Sequence, residues 1–146
     1  MLAQTYDTGI DPYSILLDLQ STISVFYNPR MLKNIRRSEH TLRAITNGGY
    51  QDSNLVGDFA NLGEVWFNKN SIANILSLAD VCSVCRVTMD SGVERSMNVH
   101  RLDGSIMKFM EHESGLYVYH PNVTNQPVTG YSILSTVAAQ KKLFTP

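Results

Sequence analysis

The sequence predicts an all-β fold. Short apolar runs rich in β-branched and aromatic residues recur along the chain, as at 15–17, 23–26 and 64–67. From residue 85 onward apolar and polar residues alternate, which is typical of half-buried strands. Turn signals separate these runs, namely Asn47-Gly48-Gly49, Asp103-Gly104 and Ser114-Gly115.

Composition excludes several classes of protein. The 146 residues include 12 Lys and Arg against 13 Asp and Glu, and 43% are hydrophobic. The balanced charge argues against a basic nucleic-acid-binding surface that spans the whole chain. The hydrophobic fraction argues against a chain that is disordered throughout. No apolar run approaches the roughly 20 residues of a membrane span, and the N-terminal residues do not resemble a signal peptide. Two cysteines are too few for a disulfide framework, so we expect an intracellular protein that does not enter membranes.

The first half of the chain is expected to hold paired strands. Ile15-Leu16-Leu17 stops at Asp18, and a second apolar run follows at 23–26, which predicts strand, turn and strand with one carboxylate at the turn. Residues 31–37 are interpreted as a basic linker with a short helical turn, and 42–46 as a strand.

One segment of the second half is ambiguous. Apolar residues between Ser71 and Val81 fall at helical spacing behind Ser71 as a possible N-cap. The window is short, and a strand–helix mixture fits it equally well.

Asp18 directly follows a buried apolar strand, where water is scarce. Two such carboxylates brought together by a two-fold axis cannot both ionise. A pair that shares one proton can activate a water molecule and protonate a substrate carbonyl. The alternative, from the residues alone, is that Asp18 simply forms an Asx turn.

The run ILLDLQSTISVF at 15–26 resembles the active-site strand and loop of retropepsin-like aspartic proteases. More narrowly, it resembles the protease region of copia-type retrotransposon polyproteins. The resemblance continues at Asn47-Gly48-Gly49, where that family has its flap, and at 63–81, which is similar to its closing strand and Asn-Leu-Leu-Ser-type segment. Residues 85–121 look like the β-rich stretch that leads into the pre-integrase region.

The resemblance implies a role for each matching residue. Asp18 matches the catalytic aspartate, and Asn47, Gly48 and Gly49 match the flap tip. The family motif is Asp, then Ser or Thr, then Gly, whereas here Leu19 stands at the hydroxyl position and Gln20 at the glycine position. Ser21 matches the small residue two places beyond the hydroxyl position, and Thr22 a common hydroxyl position after it.

These two departures have physical consequences. Leucine cannot form the hydrogen bond that the family's hydroxyl makes across the dimer. Glutamine in place of glycine incurs a backbone cost if its φ is positive, although the Gln20 amide offers another cross-dimer bond.

The resemblance implies a retropepsin-like half-barrel with a flap hairpin over 15–84, after a lead-in at 1–14. A small β-meander is expected over 85–120, and a linker with a truncated segment over 121–146. The implied function is an aspartic endopeptidase that cleaves a polyprotein as a homodimer, because one chain supplies one motif aspartate. It needs no cofactor, makes no direct nucleic-acid contact in this segment, and works in the cytoplasm or in virus-like particles. Leu19 and Gln20 motivate a rival from another class, an inactive retropepsin-like scaffold or dimerisation domain.

Two further patterns carry weaker alternatives. Cys82 and Cys85 with His100, His112 and His120 could form a zinc site, but the histidine spacings of 12 and 8 lie outside small-finger patterns, so we expect no metal. The basic residues between Arg30 and Arg43 lack interleaved aromatics, which favours a solvated face over a nucleic-acid patch.

Overall fold

The computed structural model describes residues 11–46 and 49–121. In chain order the strands are β1 Ile15–Asp18, β2 Val25–Phe26, β3 Lys33–Thr46, β4 Gly49–Phe59, β5 Gly63–Phe67, β6 Asn74–Ser77, β7 Arg86–Thr88, β8 Ser96–His100, β9 Ile106–Glu111 and β10 Tyr117–Tyr119. A 3₁₀ helix, Pro29–Met31, precedes β3, and one short α-helix, α1 Leu78–Cys82, follows β6.

The ten strands form a single mixed sheet in the order β3-β4-β5-β2-β6-β1-β10-β9-β8-β7. Two pairs are parallel, β1 with β6 and β2 with β5, and the other neighbours are antiparallel. The predicted all-β class is confirmed. Strands β7 to β10 form the expected meander, and β10 pairs with β1, so residues 15–84 and 85–120 share one sheet.

Strand β1 is the centre of the structure. All four of its residues are buried, because β6 and β10 pair with both of its edges and side chains cover both faces. Ile15 and Leu17 belong to the larger apolar cluster with Phe26, Leu76 and Phe109, whereas Leu16 on the opposite face belongs to a smaller one. A strand buried on both faces is expected to be continuously apolar. This explains the run Ile15-Leu16-Leu17.

The β3–β4 hairpin corrects one prediction from the sequence. The linker interpretation of 31–37 is wrong, because helical structure ends at Met31 and β3 begins at Lys33. Gly57 on β4 permits the close approach of this segment, since a Cβ there would lie 3.1 Å from the Leu32 Cβ. Asn47 and Gly48, between β3 and β4 in sequence, lie outside the described residues, as do 1–10 and 122–146.

The ambiguous segment is a strand followed by a helix. Asn74–Ser77 is β6 and Leu78–Cys82 is α1, which confirms the mixture. Ser71 as N-cap is wrong, because Ser77 caps the helix by accepting a hydrogen bond from the Asp80 N–H. Within the described part of the chain, no helix has the length and apolar character needed to cross a membrane.

Asn74 joins three segments beside the start of β1. Its side chain is 1% exposed, and Oδ1 accepts hydrogen bonds from the N–H groups of Tyr27 and Asn28, both at 3.1 Å. Its Nδ2 donates to the carbonyls of Pro12 and Ser14 at 2.8 and 3.1 Å. One buried amide therefore satisfies four backbone groups.

We predict that Asn74→Ala lowers the free energy of unfolding by about 3 kcal/mol, because it leaves buried backbone donors and acceptors without partners. Urea unfolding followed by circular dichroism measures the change. Asn54→Ala, at an exposed position of β4, is the matched control and should change stability by less than about 0.5 kcal/mol. Equal losses in the two variants would contradict this role for Asn74.

His120 follows β10, and its Nδ1 lies 2.8 Å from the Ser14 Oγ. Burial lowers the pKa of His120 below its ordinary value of 6.5; the Asp11 charge opposes the shift and His112 adds to it. The unfolded chain therefore binds a proton at a higher pH than the folded chain, and folding stability decreases as the pH falls below about 6.5.

We predict that His120→Gln, which keeps a polar partner for Ser14, removes this part of the pH dependence. Unfolding free energies measured between pH 5 and pH 8, a window of roughly 1.5 units either side of the ordinary value, provide the test. His40→Gln, at an exposed position of β3, should leave the slope in place. The same slope in wild type and His120→Gln would refute the prediction.

Candidate functional site

The candidate site is built around Asp18, the last residue of the central strand. Its side chain is 4% exposed and lies opposite Ser77 in the parallel β1–β6 pairing. Its Oδ1 accepts hydrogen bonds from the N–H groups of Gln20 at 3.0 Å and Ser21 at 3.1 Å. Asp18 thus has both properties considered from the sequence: it is a buried carboxylate at a strand end, and it organises the turn after it.

The turn presents apolar and polar side chains outward. Leu19 is 44% exposed, and Gln20 and Thr22 are also exposed. Ser21 is half-buried, and its Oγ accepts from the Ile23 N–H at 2.9 Å. Among the described residues other than glycine, positive φ occurs at Asn34 and Asn61, so Gln20 avoids the backbone cost of replacing a glycine.

The β6–α1 junction holds the turn from the other side. The Ser77 Oγ donates to the Ser21 carbonyl at 2.6 Å and accepts from the Asp80 N–H at 3.3 Å. The Ser77 N–H donates to the Ser24 Oγ at 2.9 Å, and this hydroxyl donates to the Asp80 Oδ2 at 2.7 Å. These bonds form a closed network that joins strand β6, helix α1 and the Asp18 turn.

The sequence analysis missed Ser24, Ser77 and Asp80. One signal was present, since Ser77-Leu78-Ala79-Asp80 matches the spacing of a capping box, in which the fourth residue's side chain reaches back to the cap N–H. Here the Ser24 hydroxyl stands between the Asp80 carboxylate and the Ser77 N–H. Such a bridge joins residues 53 positions apart in sequence, and spacing alone cannot reveal it.

Of the predicted flap residues, the structure describes Gly49. It begins β4 with φ of +113°, a conformation that favours glycine. Asn47 and Gly48 lie outside the described residues, so the flap role of the three residues stays a prediction.

The histidines proposed as zinc ligands have separate partners. His100 lies beside Thr88, His112 beside Ser114 and His120 beside Ser14. Cys82 is exposed, whereas Cys85 is buried in the larger apolar cluster. Within 11–46 and 49–121, no three His, Cys, Asp or Glu side chains are grouped so that they could hold a metal ion.

The basic residues of the β3 region are partly paired with acids. Arg36 bonds Asp58 and Glu64, and Arg43 lies 2.8 Å from the Asp52 carboxylate and stacks over Tyr50. The hydrogen bond from Arg43 lowers the pKa of Asp52. Neutralisation of these two arginines weakens the attraction of this face for phosphate groups.

Comparisons with known proteins identify no relative of this chain. A scan against protein-family models, a search of the curated proteins and a search of the solved structures each found no match. A functional proposal for this chain therefore depends on its own residues and their geometry.

We predict that the two cysteines differ in reactivity, because a thiol reagent reaches Cys82 but not Cys85 in the folded chain. An aromatic disulfide reagent should titrate one thiol per native chain and two in urea. Cys82→Ser should abolish the native reaction, and Cys85→Ser should retain it. Two fast-reacting thiols in the native protein would show that residue 85 opens to solvent.

Proposed function

We propose that this chain is an aspartic endopeptidase of a retrotransposon polyprotein, working as a homodimer with Asp18 from each chain. The observation that supports the proposal most is the burial of this carboxylate. Among the acidic residues of 11–46 and 49–121, Asp18 is the one with a buried side chain, and it ends the central strand. A carboxylate at the end of the central strand is held in a fixed position by the paired strands on either side, as a catalytic acid requires.

The proposed mechanism follows from the chemistry of paired carboxylates. Two Asp18 side chains across a two-fold axis share one proton, so one can deprotonate a water molecule while the other protonates the substrate carbonyl. The water attacks the carbonyl carbon, and the proton taken from it passes to the leaving amine as the peptide bond breaks. The substrate is an extended polypeptide held as an added strand beneath the flap at 47–49, and no cofactor is required.

Two observations favour the second candidate, an inactive scaffold or dimerisation domain. Leu19 exposes 44% of its surface where the family motif has a hydroxyl, and Gln20 stands exposed at the glycine position. A dimer made by this chain would lack the hydroxyl bonds between the two turns. The same fold could then self-associate without cleaving peptides.

Asp18→Asn provides the direct test. Asparagine keeps an Oδ1 acceptor for the Gln20 and Ser21 N–H groups but cannot supply the shared acid, so we expect cleavage of an unfolded polypeptide at mildly acidic pH to fall by roughly 10²–10⁴-fold. Mass spectrometry of the fragments measures the loss. Asp90→Asn is the matched control, because the Asp90 Oδ1 also accepts a backbone N–H, that of Gly92, at 3.0 Å on an exposed turn.

Further experiments distinguish the endopeptidase from the inactive scaffold. For the endopeptidase, a statine-type inhibitor blocks cleavage, and excess Asp18→Asn chain suppresses the wild type by forming mixed dimers. For the scaffold, a dimer seen by sedimentation cleaves nothing, and Leu19→Ser with Gln20→Gly restores cleavage. Activity that is unchanged in Asp18→Asn would reject the endopeptidase.

A further inference from the structure

We infer that Asp80 and Ser24 are positioning residues for Asp18, acting through Ser77 and the Ser21 backbone. The inference rests on the proposed function for its catalytic meaning, although its geometry stands independently. None of these three side chains belongs to the Asp-Leu-Gln turn itself. Ser24 reaches it from the position before β2, and Ser77 and Asp80 from the β6–α1 junction.

The Asp18 carboxylate is held by the backbone of its own turn. Its Oδ1 accepts from the N–H groups of Gln20 and Ser21, so the orientation of the acid follows the backbone of residues 20 and 21.

A hydrogen bond from β6 restrains this backbone. The Ser77 hydroxyl donates to the Ser21 carbonyl at 2.6 Å, on the residue whose N–H faces Asp18. Ser77 is fully buried, and its position in β6 is fixed by the pairing with Asp18 itself. The turn is thereby tied to the strand that lies beside the acid.

Both polar groups of Ser77, its hydroxyl and its N–H, are held by partners. A serine hydroxyl rotates unless its partners fix it. Here the Asp80 N–H occupies its acceptor side, and the Asp80 carboxylate holds Ser24, whose hydroxyl takes the Ser77 N–H. Asp80 therefore contributes to both halves of the network, with its backbone and with its side chain.

Asp80 is the residue to change, because it is exposed and its truncation leaves no cavity in the core. In Asp80→Ala the Ser24 hydroxyl loses its acceptor, whereas Asp80→Asn retains an acceptor oxygen. Ser83→Ala is the matched control, since the exposed Ser83 hydroxyl bonds the backbone carbonyl of Asp80 and its removal leaves the Asp80 side chain in place.

Amide hydrogen exchange of the 146-residue protein gives a readout that does not require activity. We expect exchange at Gln20 and Ser21 to become roughly tenfold faster in Asp80→Ala, with wild-type rates in Ser83→Ala and recovery in Asp80→Asn. Exchange in β8 and β9 should not change. Unchanged rates at residues 20 and 21, or an equal acceleration throughout the sheet, would overturn the inference.

Peptide cleavage adds the catalytic readout. We expect kcat of Asp80→Ala to fall about tenfold with KM unchanged, because the acid and not the peptide site is displaced, and Asp80→Asn should restore it. If wild type cleaves and Asp80→Ala cleaves with the same kcat, the positioning role is rejected and the endopeptidase stands. If wild type does not cleave but exchange at residues 20 and 21 responds as expected, the endopeptidase fails and the positioning of Asp18 by this network is supported.

Discussion

The parallel pairing of β1 with β6 is the constraint on which the rest of the structure depends. Parallel strands end at the same edge of a sheet, so the turn after Asp18 and the helix after Ser77 must leave side by side. Antiparallel pairing would separate them by the length of the strands. The contact between the turn and the β6–α1 junction therefore follows from strand direction, and β10 closes the other edge of β1.

The polar groups enclosed by this arrangement are compatible with folding because they are satisfied. Ser24, Asn74 and Ser77 are almost completely buried, yet no buried side-chain nitrogen or oxygen in the described residues lacks a hydrogen-bond partner. A partly satisfied network would cost more than an apolar core. Because each serine bonds more than one segment, the network specifies a single position of the turn relative to β6.

Local pattern was sufficient for part of this fold and insufficient for the rest. The run Ile15-Leu16-Leu17 reports burial directly and identified β1, and the alternation in 85–110 identified the meander strands, although Met89 and Ile106 are exposed. The strand over residues 33–37 was not predicted, because β3 is an edge strand. Charged side chains on such a strand face water, and its hydrophobic periodicity is weak. The burial of Asp18 was predictable from its place after an apolar run, whereas its support by Ser24 and Asp80 depends on tertiary contacts that spacing does not encode.

On the proposed function, Leu19 stands where the family motif has a hydroxyl. A hydroxyl at the position of Leu19 would help to hold two turns together across a dimer axis, and leucine cannot do so. In this chain the carboxylate is oriented by the amides of its own turn, and the turn is held by Ser77 of the same chain. The position of the acid is thus set by contacts within its own chain. In the proposed dimer, Leu19 would alter the contact between subunits, where its exposed apolar side chain would offer non-directional attraction in place of a directed hydrogen bond. On the proposed function, the substitution would therefore affect the alignment of the two acids more than the environment of either one.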